Sequence, residues 1–221
     1  RIDVHAHFVN ERFYDAILTI PGITVRSPEP GASELRFNNT SYAWRREAWF
    51  DPGHCLKDMD AKGIDMRLLS LTSPNVHVFE PAAQIALARD LNDDMFRYCE
   101  RHPDRFRGLA SLPLADISAA LAELDRVRSH PLFCGIAMGS SLNKVPLNHK
   151  SLEPVWARLD ALGIPVVGGR AVLDTIAACA AYPLFDLTAW DAALAGIADG
   201  RAPATRTVRP VLEDGSTDTA R

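Results

Sequence analysis

Two histidines stand one residue apart near the start of the chain, His5 and His7 in "RIDVHAHF". Around them Ile2, Val4, Ala6 and Phe8 alternate with Asp3, His5 and His7, the period of two that marks a strand. The alternation predicts Asp3, His5 and His7 on one face and the apolar set on the other. Imidazoles at i and i+2 of a strand lie about 7 Å apart along the backbone. Both can therefore converge on one divalent ion. Such an ion would polarise a carbonyl or carboxylate, or bring the pKa of a bound water towards about 7. The bland alternative is a pair of structural histidines. Burying them with an aspartate and no partners would cost on the order of several kcal/mol.

The remaining histidines carry weaker signals. His77, with Asn75, follows the second expected strand, where a loop would reach a site or simply be exposed. His54, His102, His130 and His149 fall in helical or turn contexts and are expected to be structural or surface residues.

Short apolar runs at 2–8, 67–72, 106–113, 134–140 and 163–168 read as strands, most of them apolar enough to be covered on both faces. Helical patterns alternate with them. Residues 52–63 open with Pro52 and close with Gly63. Residues 80–102 place Ile85, Ala88, Leu91, Met95 and Cys99 on one stripe. Residues 116–130 begin with Asp116 as N-cap, and 151–163 begin with Ser151 in that role. Repeated βα units imply a parallel sheet or barrel. Residues 9–50 form a long insertion after the first strand, turn-rich and then aromatic, of the kind that carries function.

Composition excludes several classes. The net charge of −4, with 24% charged and 47% hydrophobic residues, fits a globular α/β protein and no polyanion-binding surface. No apolar run approaches the roughly 18 residues of a membrane span. The four cysteines (Cys55, Cys99, Cys134 and Cys179) form no CxxC pair, so reduced thiols in a cytoplasmic protein are expected. A chain that starts at Arg1, directly before a strand, is expected to be processed or partial.

The stretches "IDVHAHF", "REAWFDPGHCLKDMDAKGIDMRLLS", "ARDLNDDMFRYCERHPDRFRGLASLPL" and "LNHKSLEPVWARLDALGIPV" occur in that order. Over roughly residues 1–166 the chain resembles the aminocarboxymuconate-semialdehyde decarboxylase branch of the amidohydrolase superfamily. The resemblance implies a metal-dependent TIM-type (β/α)8 barrel, with decarboxylation or hydrolysis of a carboxylated aromatic or unsaturated small molecule. It implies His5 and His7 as metal ligands and Arg46, with Arg45 beside it, as the grip on a substrate carboxylate. Asp3 is read as an interior or supporting hydrogen-bonding residue. The cofactor expected is a divalent metal, zinc first and manganese second. No nucleic-acid or membrane partner is expected, and a homodimer is the assembly foreseen.

The family pattern places a third metal histidine after "GxPV". This chain has "GIPV" followed by "VGG", with Gly169 at that position. No histidine follows His149, and Asp174, Asp186, Asp191, Asp199, Asp214 and Asp218 lack the family's context. The expectation is therefore an incomplete barrel of about five βα units over 1–170, the N-terminal part only. An Ala-rich helical segment and a disordered tail are expected over 171–221, where 13 of 51 residues are alanine. Out-of-frame or recombined sequence after Val166 would explain that change of character. Two other classes compete with the enzyme: a non-catalytic half-barrel that binds metal weakly, and a flavodoxin-like binding module.

Overall fold

The computed structural model describes residues 1–29, 33–72, 74–139, 141–142 and 145–169. The Ala-rich helical segment and the tail expected over 171–221, the six late aspartates and Cys179 lie outside the described residues. In chain order the elements are β1 (Ile2–Phe8), α1 (Glu11–Leu18), β2 (Ile23–Arg26), β3 (Glu34–Phe37), β4 (Thr40–Trp44), α2 (Pro52–Lys62) and β5 (Met66–Leu71). There follow α3 (Pro81–Glu100), β6 (Phe106–Ala110), α4 (Ile117–Val127), β7 (Phe133–Gly139), β8 (Ser141–Leu142), β9 (Val145–Pro146), α5 (Glu153–Leu162) and β10 (Val166–Gly169).

Local chemistry sets the helix limits. Asp51 caps α2 by accepting from the Gly53 N–H, Pro52 occupies its first turn, and Gly63 ends it in the left-handed region at φ 62°. Asp116 caps α4 by accepting from the Ala119 N–H, as its sequence position predicts. The expectation for Ser151 needs correcting. His149 caps a short 3-10 turn at Lys150–Leu152, and α5 starts after it with Leu152 in the capping position. On α3, Ile85 is exposed and Leu87 buried, so the core stripe runs Leu87, Ala88, Leu91, Met95 and Cys99.

Five strands pair in parallel in the order β1-β5-β6-β7-β10. Each βα unit thus adds its strand beside the one before, with no reversal of direction across the sheet. That is barrel order. A doubly wound sheet reverses at a switch point, so the flavodoxin-like reading fails.

The two faces of this sheet carry separate apolar clusters. Phe8, Leu69, Leu71, Phe106, Ala110, Ile136 and Met138 pack under the helices. Leu68, Leu109, Cys134 and Ala137, with Ile2, Val4, Met66 and Val167, pack on the inner face. Gly135 marks where β7 meets the start of β10: at φ 153°, a Cβ there would stand 2.6 Å from the Pro165 carbonyl oxygen. Gly135→Ala is expected to lower stability by about 2 kcal/mol, combining strain and overpacking; urea unfolding checks it.

The insertion over 9–50 is more ordered than its composition suggests. It contains α1, capped by Asn10 and anchored by buried Phe13 and Ile17. After α1 comes an antiparallel sheet in the order β2-β3-β4.

Candidate metal and carboxylate site

All five parallel strands end on one side of the sheet, and β1 brings His5 and His7 there. Their rings meet edge to face, with centroids 4.8 Å apart. His5 is exposed and His7 half-buried. The His7 Nδ1 is buried and has no hydrogen-bond partner among the described residues. Burial, and next the neighbouring His5, push the His7 pKa down, against a backbone hydrogen bond with Ser70. Neutral imidazoles with a free ring nitrogen are what a divalent ion requires.

The expected common face of Asp3, His5 and His7 does not occur. Register on β5 slips between Asp3 (opposite Arg67) and Ala6 (opposite Leu69), a bulge that adds one residue to β1. Ile2 and Val4 consequently pack on the inner face, whereas Ala6 and Phe8 pack under the helices. Asp3 leaves the face of the histidine rings: its carboxylate accepts from the His5 backbone N–H at 3.1 Å and from the Arg67 Nε at 2.9 Å. The same buried Arg67 donates to Asp58 at 2.6 Å and to the Cys55 sulfur at 3.2 Å. Asp3 is thus an interior ion-pair residue that ties β1 to β5 and α2.

Arg46 and Arg45 separate clearly in the structure. The Arg45 guanidinium lies 4.2 Å from the Phe50 ring centroid and pairs with Glu11 and Glu47. Arg46 is exposed and makes no ion pair among the described residues. Its segment is fastened beside the end of β1. The Val9 N–H donates to the Trp49 carbonyl at 3.3 Å, and the Tyr98 hydroxyl to the Ala48 carbonyl at 2.9 Å. Arg45 is thus occupied by Glu11, Glu47 and the Phe50 ring, whereas Arg46 has no such partner among the described residues.

Asn75 and His77 are both buried. Asn75 sits in the left-handed region at φ 62°, and its side chain accepts from the Val76 N–H. Neither His77 ring nitrogen is paired among the described residues, and burial pushes its pKa down to about 4. The unfolded chain, with an ordinary histidine near 6.5, binds the extra proton between these values. Stability is therefore full above about pH 6.5 and falls by about 3 kcal/mol as the pH drops towards 4. Urea unfolding across that window should show the loss, and His77→Phe should flatten most of it. The sequence offers no signal for this burial, because "SPNVHVF" has the composition of an exposed turn.

The other histidines are structural or surface residues. His54 pairs with Asp51, His149 caps its turn, and His130 stacks on Phe96 with centroids 4.2 Å apart. A groove of about 230 Å³ lies against Phe96, Glu100, Arg126 and His130, at the end of the sheet away from His5 and His7. Its charges are paired among themselves, Arg126 with Glu123 and Asp93, and His130 with Glu100. That groove is helix packing. Cys134 is buried on the inner face, where desolvation pushes its thiol up to about 12.

The sequence profile of the amidohydrolase family matches residues 2–201, continuing past Val166. The chain belongs to the amidohydrolase family. It is 34% identical over 120 residues to the γ-resorcylate decarboxylase of Rhodococcus jostii, covering 50% of this chain and 36% of that protein. It is 30% identical over 119 residues to the 2-amino-3-carboxymuconate-6-semialdehyde decarboxylase of Dictyostelium discoideum, covering 53% and 33%. The 5-carboxyvanillate decarboxylase of Novosphingobium aromaticivorans, solved with bound manganese, superposes with TM-score 0.61 at 24% identity. That superposition covers 75% of this chain and 49% of the other. The barrel fold is shared, and the matched stretches span a third to a half of these relatives.

β1 brings together only two candidate ligands, His5 and His7, with ring centroids 4.8 Å apart. Gly169 ends β10 opposite Gly139, so no histidine stands there. Among the described residues no group of three His, Cys, Asp or Glu side chains could hold a metal.

Proposed function

We propose that this chain carries the metal-binding and carboxylate-binding part of a decarboxylase acting on a carboxylated aromatic or unsaturated small molecule. The observation that carries the reading is the convergence of His5 and His7 at the end of β1, beside the fastened segment that presents Arg46. His5 and His7 would hold a divalent cation, zinc or manganese. When bound, that cation supplies positive charge to polarise a substrate oxygen or water. Arg46 offers a planar fork that takes a carboxylate through two parallel hydrogen bonds. The apolar inner face of Leu68, Leu109 and Ala137 keeps water from the floor of the site. In a non-oxidative decarboxylation the bond from carbon to the carboxylate breaks, carbon dioxide leaves, and the carbon takes a proton. Hydrolysis of a related compound would use the same cation and the same grip.

Incubation with γ-resorcylate and manganese or zinc, followed by carbon dioxide release, tests this reading. Turnover is expected, with loss on chelation. Arg46→Ala should weaken substrate binding by about 10- to 100-fold, the worth of a charge-assisted bidentate contact. A second reading has one specific observation behind it. Gly169 stands where the resemblance puts a third histidine, which favours a non-catalytic half-barrel that binds metal weakly. A folded, metal-loaded chain that releases no carbon dioxide from γ-resorcylate or 2-amino-3-carboxymuconate semialdehyde would favour that alternative.

A further inference from the structure

Among the described residues, the buried side-chain nitrogens and oxygens without a hydrogen-bond partner are His7 Nδ1, His77 Nδ1 and Nε2, and Ser111 Oγ. All belong to the same end of the sheet. His7 is the last residue but one of β1, Ser111 directly follows β6, and His77 lies in the turn that leaves β5. Buried polar groups are almost always paired, so such a concentration at three neighbouring strand ends calls for a reason.

Both His77 and Ser111 are held by their backbones while their side chains stay free. The Asn92 side chain clamps Ser111, donating to its carbonyl at 2.9 Å and accepting from its N–H at 2.9 Å. Asn92 is fully buried and also donates to Glu123 at 2.7 Å, which Arg126 holds in turn. The Gln84 side chain does the same for the other loop. It donates to the His77 carbonyl at 3.2 Å and to the Phe79 carbonyl at 2.8 Å. Its oxygen accepts from the Ala115 N–H at 3.2 Å, which joins the loop after β5 to the loop after β6. Leu109 faces the inner cluster and Ala110 the helices, so the alternation of β6 returns Ser111 to the inner side.

We propose that His77 and Ser111 form a second polar subsite, at the ends of β5 and β6, that holds a neutral hydroxyl group of the bound small molecule. A neutral imidazole and a hydroxyl each offer one donor and at least one acceptor. That set is matched by a group that both donates and accepts, such as a phenol. An ionised carboxylate only accepts and belongs to Arg46. The subsite rests on the decarboxylase reading only in that Arg46 and the histidines hold the rest of the same molecule.

Three probes separate the parts, with the whole chain and saturating zinc: benzoate, with a carboxylate alone; resorcinol, with hydroxyls alone; and 2,6-dihydroxybenzoate, with both. Calorimetry should show 2,6-dihydroxybenzoate binding at least about tenfold more tightly than benzoate, the worth of one buried hydrogen bond. In His77→Phe and in Ser111→Ala that ratio should fall towards one. In the unmodified chain, resorcinol should shift the His77 ring nitrogens in histidine-labelled NMR spectra, a readout that needs no variant to fold. A ratio kept in the folded variants, or His77 resonances unmoved by resorcinol, overturns the subsite. Failure of benzoate to bind while resorcinol still shifts His77 would overturn the decarboxylase reading and leave the subsite standing.

Discussion

Replacing His7 with alanine is expected to lower divalent-metal affinity by about 100-fold or more, since lesser changes around a metal site already cost 10- to 100-fold. His7 is the better-held member of the pair. It is half-buried and adjoins Ser70, and its Nδ1 has no competing hydrogen bond among the described residues, whereas the exposed His5 can turn away. His5→Ala should therefore cost less than His7→Ala, and the double variant should retain no ion through dialysis. The fold should survive all three changes, because neither ring contributes to the two apolar clusters. Metal content by mass spectrometry, read beside the circular dichroism spectrum, distinguishes loss of the ion from loss of the protein.

Arg67→Met should destabilise the chain by about 3 kcal/mol, the lower end for breaking a buried ion pair. Arg67 is buried and holds Asp3, Asp58 and the Cys55 sulfur from three directions. Its loss leaves Asp3 and Asp58 facing a space that no cation fills. Both carboxylates keep some access to water, which limits the penalty. Arg67→Lys should recover part of it, since one ammonium cannot reproduce the planar fork. The consequence reaches the site, because Asp3 fixes β1 just before the bulge that precedes the two histidines. Urea unfolding gives the stability, and a metal titration of the folded variant should show weaker binding as β1 loosens.

The strands and helices were legible because the chain repeats a simple physical pattern. Apolar runs bounded by Asp51, Gly63, Asp116 and Gly163 mark βα units by capping chemistry alone. The His5–His7 pair was legible for the same reason, as a polar break in an apolar strand. The bulge was not, since a period of two cannot reveal where a strand takes one extra residue. Asp3 consequently moved to the helix side, into a salt bridge with a residue 64 positions away. Helix α1 carries only a short sequence signal: one capping Asn10 and two buried residues, Phe13 and Ile17. The burial of His77 depends on contacts from distant segments, chief among them the Gln84 bridge, which no local pattern encodes.

The most direct test of the metal-site reading is histidine-labelled NMR of the whole chain during titration with zinc. His5 and His7 ring nitrogens should shift together and saturate at the same zinc ratio, while those of His54, His130 and His149 stay in place. Zinc that binds without moving the His7 ring would contradict the account.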